Sequence, residues 1–126
     1  MSDPEASLIE LSKINVKGLS KTYLIDGKTE PILEGIDFFV RPGEFVSIIG
    51  SSGCGKSTFL NILAGLEPPD SGIIEFDGIS VDSRLGQVGY MQQKDLLLPW
   101  RTVLDNVILG LQIEGVSRKR ARIDAL

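Results

Sequence analysis

At 126 residues, with 42% hydrophobic and 24% charged side chains, the chain suits one compact domain or part of a larger one, and wholesale disorder is not expected. A net charge of −4 argues against a general nucleic-acid binder, and the absence of histidine removes the commonest general base and metal ligand. No apolar run approaches the roughly 18–20 residues of a membrane span, the acidic start Met-Ser-Asp-Pro-Glu lacks the features of a secretory signal, and the single Cys54 allows no internal disulfide; a cytosolic chain is expected.

Residues 1–7 read as a flexible tail, and 8–126 as the structured part. Residues 14–23 hold a strand, and Asp26-Gly27-Lys28 makes a hairpin turn. Ile36, Phe38 and Val40 alternate with Asp37 and Phe39, which predicts a strand with one buried face. Arg41-Pro42-Gly43-Glu44 is a turn. Residues 45–49, dense in β-branched side chains, predict a strand buried on both faces, as in a parallel sheet.

A glycine-rich loop follows at once, and residues 56–66 read as a helix with Phe59, Leu60, Leu63 and Leu66 on one face. Pro68-Pro69 is expected to end it. Residues 73–76 form a strand that turns at Asp77-Gly78, and 88–91 form another short strand. After an irregular loop through Pro99, Thr102 and Asp105 have the spacing of a capping box. Val103, Val107 and Leu111 lie on one stripe of the helix that follows, beside Leu104 and Ile108, and Gly115 suits its end. The basic residues Arg118, Lys119, Arg120 and Arg122 open a further helix.

The strongest chemical signal is Gly50-Ser51-Ser52-Gly53-Cys54-Gly55-Lys56-Ser57-Thr58, which satisfies G-x-x-x-x-G-K-[ST] between a predicted strand and a predicted helix. Glycines at these positions let successive amides point inward at phosphate oxygens. The helix beginning near Lys56 aims the positive end of its dipole at the same anion. In this pattern Lys56 bridges the β- and γ-phosphates of ATP, the Ser57 hydroxyl ligates Mg²⁺, and Thr58 adds a contact to the α-phosphate. Cys54 fills a free position as a small residue.

Several segments around this loop resemble the ATP-binding subunits of ABC transporters: Leu33-Glu34-Gly35-Ile36, Pro42-Gly43-Glu44-Phe45, Asn61-Ile62-Leu63-Ala64-Gly65-Leu66 and Pro69-Asp70-Ser71-Gly72. The resemblance runs from about residue 14 to the end. It implies an α/β P-loop NTPase fold in which an antiparallel β subdomain precedes the start of a parallel-sheet core. It also implies that Tyr23 stacks its ring on adenine, and that Gln93 is the glutamine that reaches Mg²⁺ and the attacking water. Gln92 is the alternative for that role; Gln93 has the expected spacing to Pro99-Trp100.

The stretch from Asp95 through Leu97, Leu98, Pro99 and Trp100 to Val107 is similar to importers of the nitrate/sulfonate/bicarbonate group. There this region faces the membrane-embedded permease, so these residues are either an exposed docking patch or ordinary packing. The implied partners are ATP, transmembrane permease subunits and a second ATPase subunit in a homodimer, at the inner face of the cell membrane, with no nucleic acid. The sequence contains no L-S-G-G-Q-type motif, no apolar strand ending in Asp-Glu and no switch histidine. By that resemblance the domain stops before its signature motif and Walker B strand, and sheet edges are expected to be open. The alternative to a working ATPase is therefore a nucleotide-binding fragment without turnover.

Overall fold

The computed structural model describes residues 12–80 and 84–126; the predicted tail, 1–7, lies outside them. The described chain divides into two compact units, residues 1–90 and 91–126. In the first unit β1 (Ile14–Ile25) and β2 (Lys28–Val40) form a long antiparallel hairpin. Its two-residue turn is Asp26-Gly27, with φ of 50° and 75°, the left-handed pair that matches the twist of the flanking strands. β3 (Ser71–Phe76) pairs with the other edge of β1, and the short β4 (Ile79–Ser80) turns back on it through Asp77-Gly78. The sheet order is β2-β1-β3-β4, all antiparallel.

Helix α1 (Lys56–Leu63) supplies Phe59, Ile62 and Leu63 to a core completed by Val16, Leu19, Leu33, Ile74 and Phe76. The Phe38 and Phe59 rings meet edge to face, 5.2 Å apart, an arrangement that sets the positive edge of one ring against the negative face of the other. The alternation read in β2 is present: Ile36, Phe38 and Val40 are half-buried while Asp37 and Phe39 face out. The helix face differs from expectation. Leu60 and Leu66 are exposed and Ile62 is fully buried; Leu66 lies past the end of α1, which stops three residues sooner than its apolar pattern.

Gly65, not Pro68, ends it. At φ 75° its amide bonds Ile62 O while the Leu66 amide bonds Asn61 O, the paired bonds of a Schellman motif. A side chain at Gly65 would stand 2.7 Å from the Leu85 amide nitrogen, so glycine is also demanded by close approach.

Residues 45–49 are a second departure: they form no strand, and Phe45 and Ile49 are each 91% exposed. A strand exists through its neighbours, and among the described residues none pairs with this segment. An apolar hollow of about 440 Å³ lies beside it, lined by Leu33, Ile36, Phe38, Ile48 and Phe59 and reaching the base of the glycine-rich loop. The expected strand at 88–91 is likewise absent; there Tyr90 ties to α1 by donating to Asn61 Oδ1 at 2.8 Å.

In the second unit the single expected helix is two, α2 (Val103–Val107) and α3 (Leu109–Ile113), joined at the fully buried Ile108. Backbone bonds run through the joint, from Ile108 N to Leu104 O and from Gln112 N to Ile108 O. The apolar stripe is rotated from the one expected: Val103 and Val107 are exposed, and Leu104, Ile108 and Leu111 face inward. Helix α4 (Arg118–Asp124) follows, capped by Ser117. No helix among the described residues is long and apolar enough to cross a membrane.

Candidate nucleotide-binding site

The site is built where the chain leaves the exposed segment 45–49 and enters α1. The N-cap of α1 is Gly55, at φ 93°, and no side chain caps the helix. An ordinary helix start satisfies its leading amides with Ser, Thr, Asp or Asn. Here the first turn holds no acid; the amides of Ser57 and Thr58 find no backbone acceptor among the described residues, while the Lys56 amide is hydrogen-bonded to the Cys54 sulfur. An uncapped helix start with its dipole unopposed is an anion site.

Lys56 closes the loop. Its Nζ donates to Gly50 O at 2.9 Å and Ser51 O at 2.6 Å, and reaches Cys54 Sγ at 3.4 Å. The ammonium is thus held over the ring of residues 50–55. Cys54 is exposed, and the hydrogen bond from Lys56 holds its thiol below the usual pKa, its charge adding to the effect. Gly50, Ser51, Ser52 and Gly53 are all open to solvent around this ring.

Tyr23 reaches the same region from β1. Its hydroxyl donates to Glu67 Oε1 at 2.6 Å and is also hydrogen-bonded to Thr58, the last residue of the motif. Burial and the Glu67 bond push the phenol pKa up. Lys21 Nζ lies over the Tyr23 ring, 5.7 Å from its centroid, within the range of a cation–π contact. Lys21 is buried, bonding Pro68 O and Asp70 Oδ1 and pairing with Glu67 at 3.5 Å. Burial pulls the Lys21 pKa down, but Asp70 and Glu67 more than offset it and leave it raised. The Thr22 amide bonds the other oxygen of Asp70.

The structure therefore joins Tyr23, Thr58 and the phosphate-type loop in one unit. Gln93 belongs to the second unit, where it and Gln92 are exposed. In that unit Leu97, Pro99 and Trp100 are exposed and Leu98 is half-buried. The backbone of Leu98 is held by Asn106, which no motif marks. Its Oδ1 accepts from Leu98 N at 2.8 Å, and its Nδ2 donates to Leu98 O and Thr102 O. Half of the predicted capping box is present: Thr102 Oγ1 accepts from the Asp105 amide. The Asp105 carboxylate instead pairs with Arg118 at 2.8 Å, which holds its pKa down, helped by Thr102.

Residues 33–126 match the ABC transporter family. The chain belongs to that family. Among its relatives, the taurine import ATP-binding protein of Yersinia pestis is 41% identical over 113 residues, 90% of this chain and 43% of that protein. The taurine import ATP-binding protein of Pseudomonas aeruginosa is 39% identical over 86% of this chain and 41% of its own length. An uncharacterised ABC transporter ATP-binding protein of Methanocaldococcus jannaschii is 39% identical over 89% and 42%.

The chain thus spans about two fifths of the length of these curated relatives. Among solved structures, a dimeric ATP-binding cassette bound to ADP and Pi superposes with a TM-score of 0.79 at 31% identity. That match covers 89% of this chain and 53% of the cassette. The α/β cassette fold read from the sequence is borne out, and relatives named as importer ATP-binding proteins bear out the group to which it was likened.

Proposed function

We propose that this chain is the nucleotide-binding part of an importer ATPase and binds ATP together with Mg²⁺. The observation that carries the reading is the uncapped start of α1 at Gly55, with Lys56 held over the loop beside it. In this reading the amides of residues 50–58 surround the phosphates, Lys56 neutralises the β- and γ-phosphates, and Thr58 touches the α-phosphate. The donor set fits a nucleotide-borne Mg²⁺, which takes most of its ligands from phosphate and water and needs one hydroxyl from the protein, that of Ser57. Tyr23 stacks on adenine. Gln93 is the residue this reading assigns to the metal and the attacking water.

By its relatives' names, the whole protein would use ATP hydrolysis to drive import of taurine or a similar small sulfonate. It would act as a homodimer bound to permease subunits on the cytoplasmic face of the membrane, with Leu97, Pro99 and Trp100 in the docking surface. The chain's own sequence carries no Asp-Glu strand and no L-S-G-G-Q-type segment, and the groups that polarise the attacking water supply much of phosphoryl-transfer catalysis. Binding without turnover is therefore expected of residues 1–126 by themselves.

The test is titration of the chain with a fluorescent ATP analogue and Mg²⁺, beside Lys56→Ala and a phosphate-release assay. Saturable binding that Lys56→Ala weakens about a hundredfold supports the reading; binding unaffected by that change overturns it.

A further inference from the structure

We infer that Glu67 is the positioning residue of the base-stacking ring, fixing Tyr23 through its hydroxyl in the attitude that receives adenine. The inference rests on the reading of Tyr23 given above and adds a residue that no motif marks. Tyr23 lies near the turn of the β1–β2 hairpin, where Leu24 and Ile25 are exposed and Tyr23 itself is only partly covered. A ring so placed has two free torsions and no packing to choose between them. Three contacts choose for it: the 2.6 Å bond to Glu67, the bond to Thr58, and Lys21 over one face. In the proposed arrangement a base would stack on the face away from Lys21.

Two observations separate this role from simple anchoring of the loop after α1. First, that loop is already tied to β1 without Glu67, by Lys21 to Pro68 O and Asp70 and by the Thr22 amide to Asp70. Second, Thr58 lies in the first turn of α1 and Glu67 in the loop that follows the helix directly. The Tyr23 hydroxyl thus references the ring to the same helix whose start forms the phosphate cradle, setting the distance between base and phosphate subsites. Lys21 Nζ, 3.5 Å from Glu67 Oε1, pairs with the same carboxylate.

The experiment is calorimetric titration of the full chain with Mg-ATP and, separately, with Mg-tripolyphosphate, which engages the cradle alone. Tyr23→Ala should weaken ATP about tenfold, the stacking contribution of one base, and leave tripolyphosphate unchanged. Glu67→Ala and Tyr23→Phe, each deleting the same hydrogen bond, should weaken ATP about three- to tenfold and spare tripolyphosphate. Glu67→Gln keeps an accepting oxygen and should stay within about twofold of the parent. Equal weakening of both ligands by Glu67→Ala would make it a merely structural residue and overturn the inference. So would an unaltered ATP affinity in Glu67→Ala and Tyr23→Phe when Tyr23→Ala is impaired. If Tyr23→Ala binds ATP normally, or the parent chain binds none, the reading of the site itself fails and the inference with it.

Discussion

Substituting alanine at Gly55 and at Gly53 separates two reasons for glycine in the loop. Both residues have φ in the left-handed region, +93° and +81°, where an L-residue costs about 1–2 kcal/mol. They differ in what a side chain would meet. At Gly53 nothing lies within 4 Å of an added Cβ, whereas at Gly55 it would stand 2.9 Å from Ile32 O, 2.9 Å from Leu33 Cδ2 and 3.2 Å from Ile32 Cγ2. The first of these is backbone of β2 and cannot swing aside, and Leu33 is part of the core.

Overpacking of this kind adds about 1–3 kcal/mol. Gly53→Ala should therefore lose about 1–2 kcal/mol and Gly55→Ala about 2–5 kcal/mol, out of a total that for small domains is about 5–15 kcal/mol. Urea unfolding followed by circular dichroism reads the difference directly. With a slope of about 1–2 kcal/mol per molar, the Gly55→Ala midpoint should fall about 0.5–3 M below that of Gly53→Ala. Coincident midpoints would refute the argument that β2 presses on the helix start.

Other outcomes follow from single contacts. Alkylation of Cys54 by iodoacetamide near neutral pH should slow in Lys56→Ala, because the Lys56 hydrogen bond is the main cause of its lowered pKa, and thiolate is the reactive form; an unchanged rate would remove that cause. Mg-ATP should protect Cys54 in the parent. Asn106→Ala should speed hydrogen exchange of the Leu98 amide about tenfold or more, since it deletes the acceptor at 2.8 Å, and Asn106→Asp, which keeps an acceptor, should protect that amide better than alanine does. Asp70 has a lowered pKa, first through the Thr22 amide and then through Lys21. Its stabilising effect is complete above the unfolded carboxylate value of about 4 and is lost as pH falls through the lower folded value. Asp70→Asn should therefore flatten the stability curve below about pH 4, and an unchanged acid limb would count against the assignment.

How much of this was legible depended on how local each signal is. The hairpin turns at Asp26-Gly27 and Asp77-Gly78 were, because a two-residue turn with two positive φ angles has few sequence solutions. The loop from Gly50 to Thr58 was, because the uncapped helix start and its lysine are contiguous in the chain. The segment 45–49 was read correctly as apolar and wrongly as paired strand: β-branched density reports a demand for burial on two sides, but the neighbours that meet the demand are non-local, and none stands among the described residues. The end of α1 was misjudged because two prolines are a louder stop than one glycine, yet Gly65 already completes the Schellman bonds.

Glu67 and Asn106 show a different kind of silence. Each is a polar residue in a turn or helix, the class most often solvated, and nothing within a few positions distinguishes it. Their partners make them matter. Asn106 satisfies backbone groups of Leu98 and Thr102. Glu67 meets a tyrosine 44 positions away. On the proposed reading, backbone amides and one lysine suffice to place phosphate, and these are contiguous in the motif. The Tyr23 ring is held instead by Glu67, Thr58 and Lys21, which come from separate parts of the chain and which no motif joins. If the proposal holds, a change at Glu67 alters affinity for the base while every residue of the glycine-rich loop stays the same.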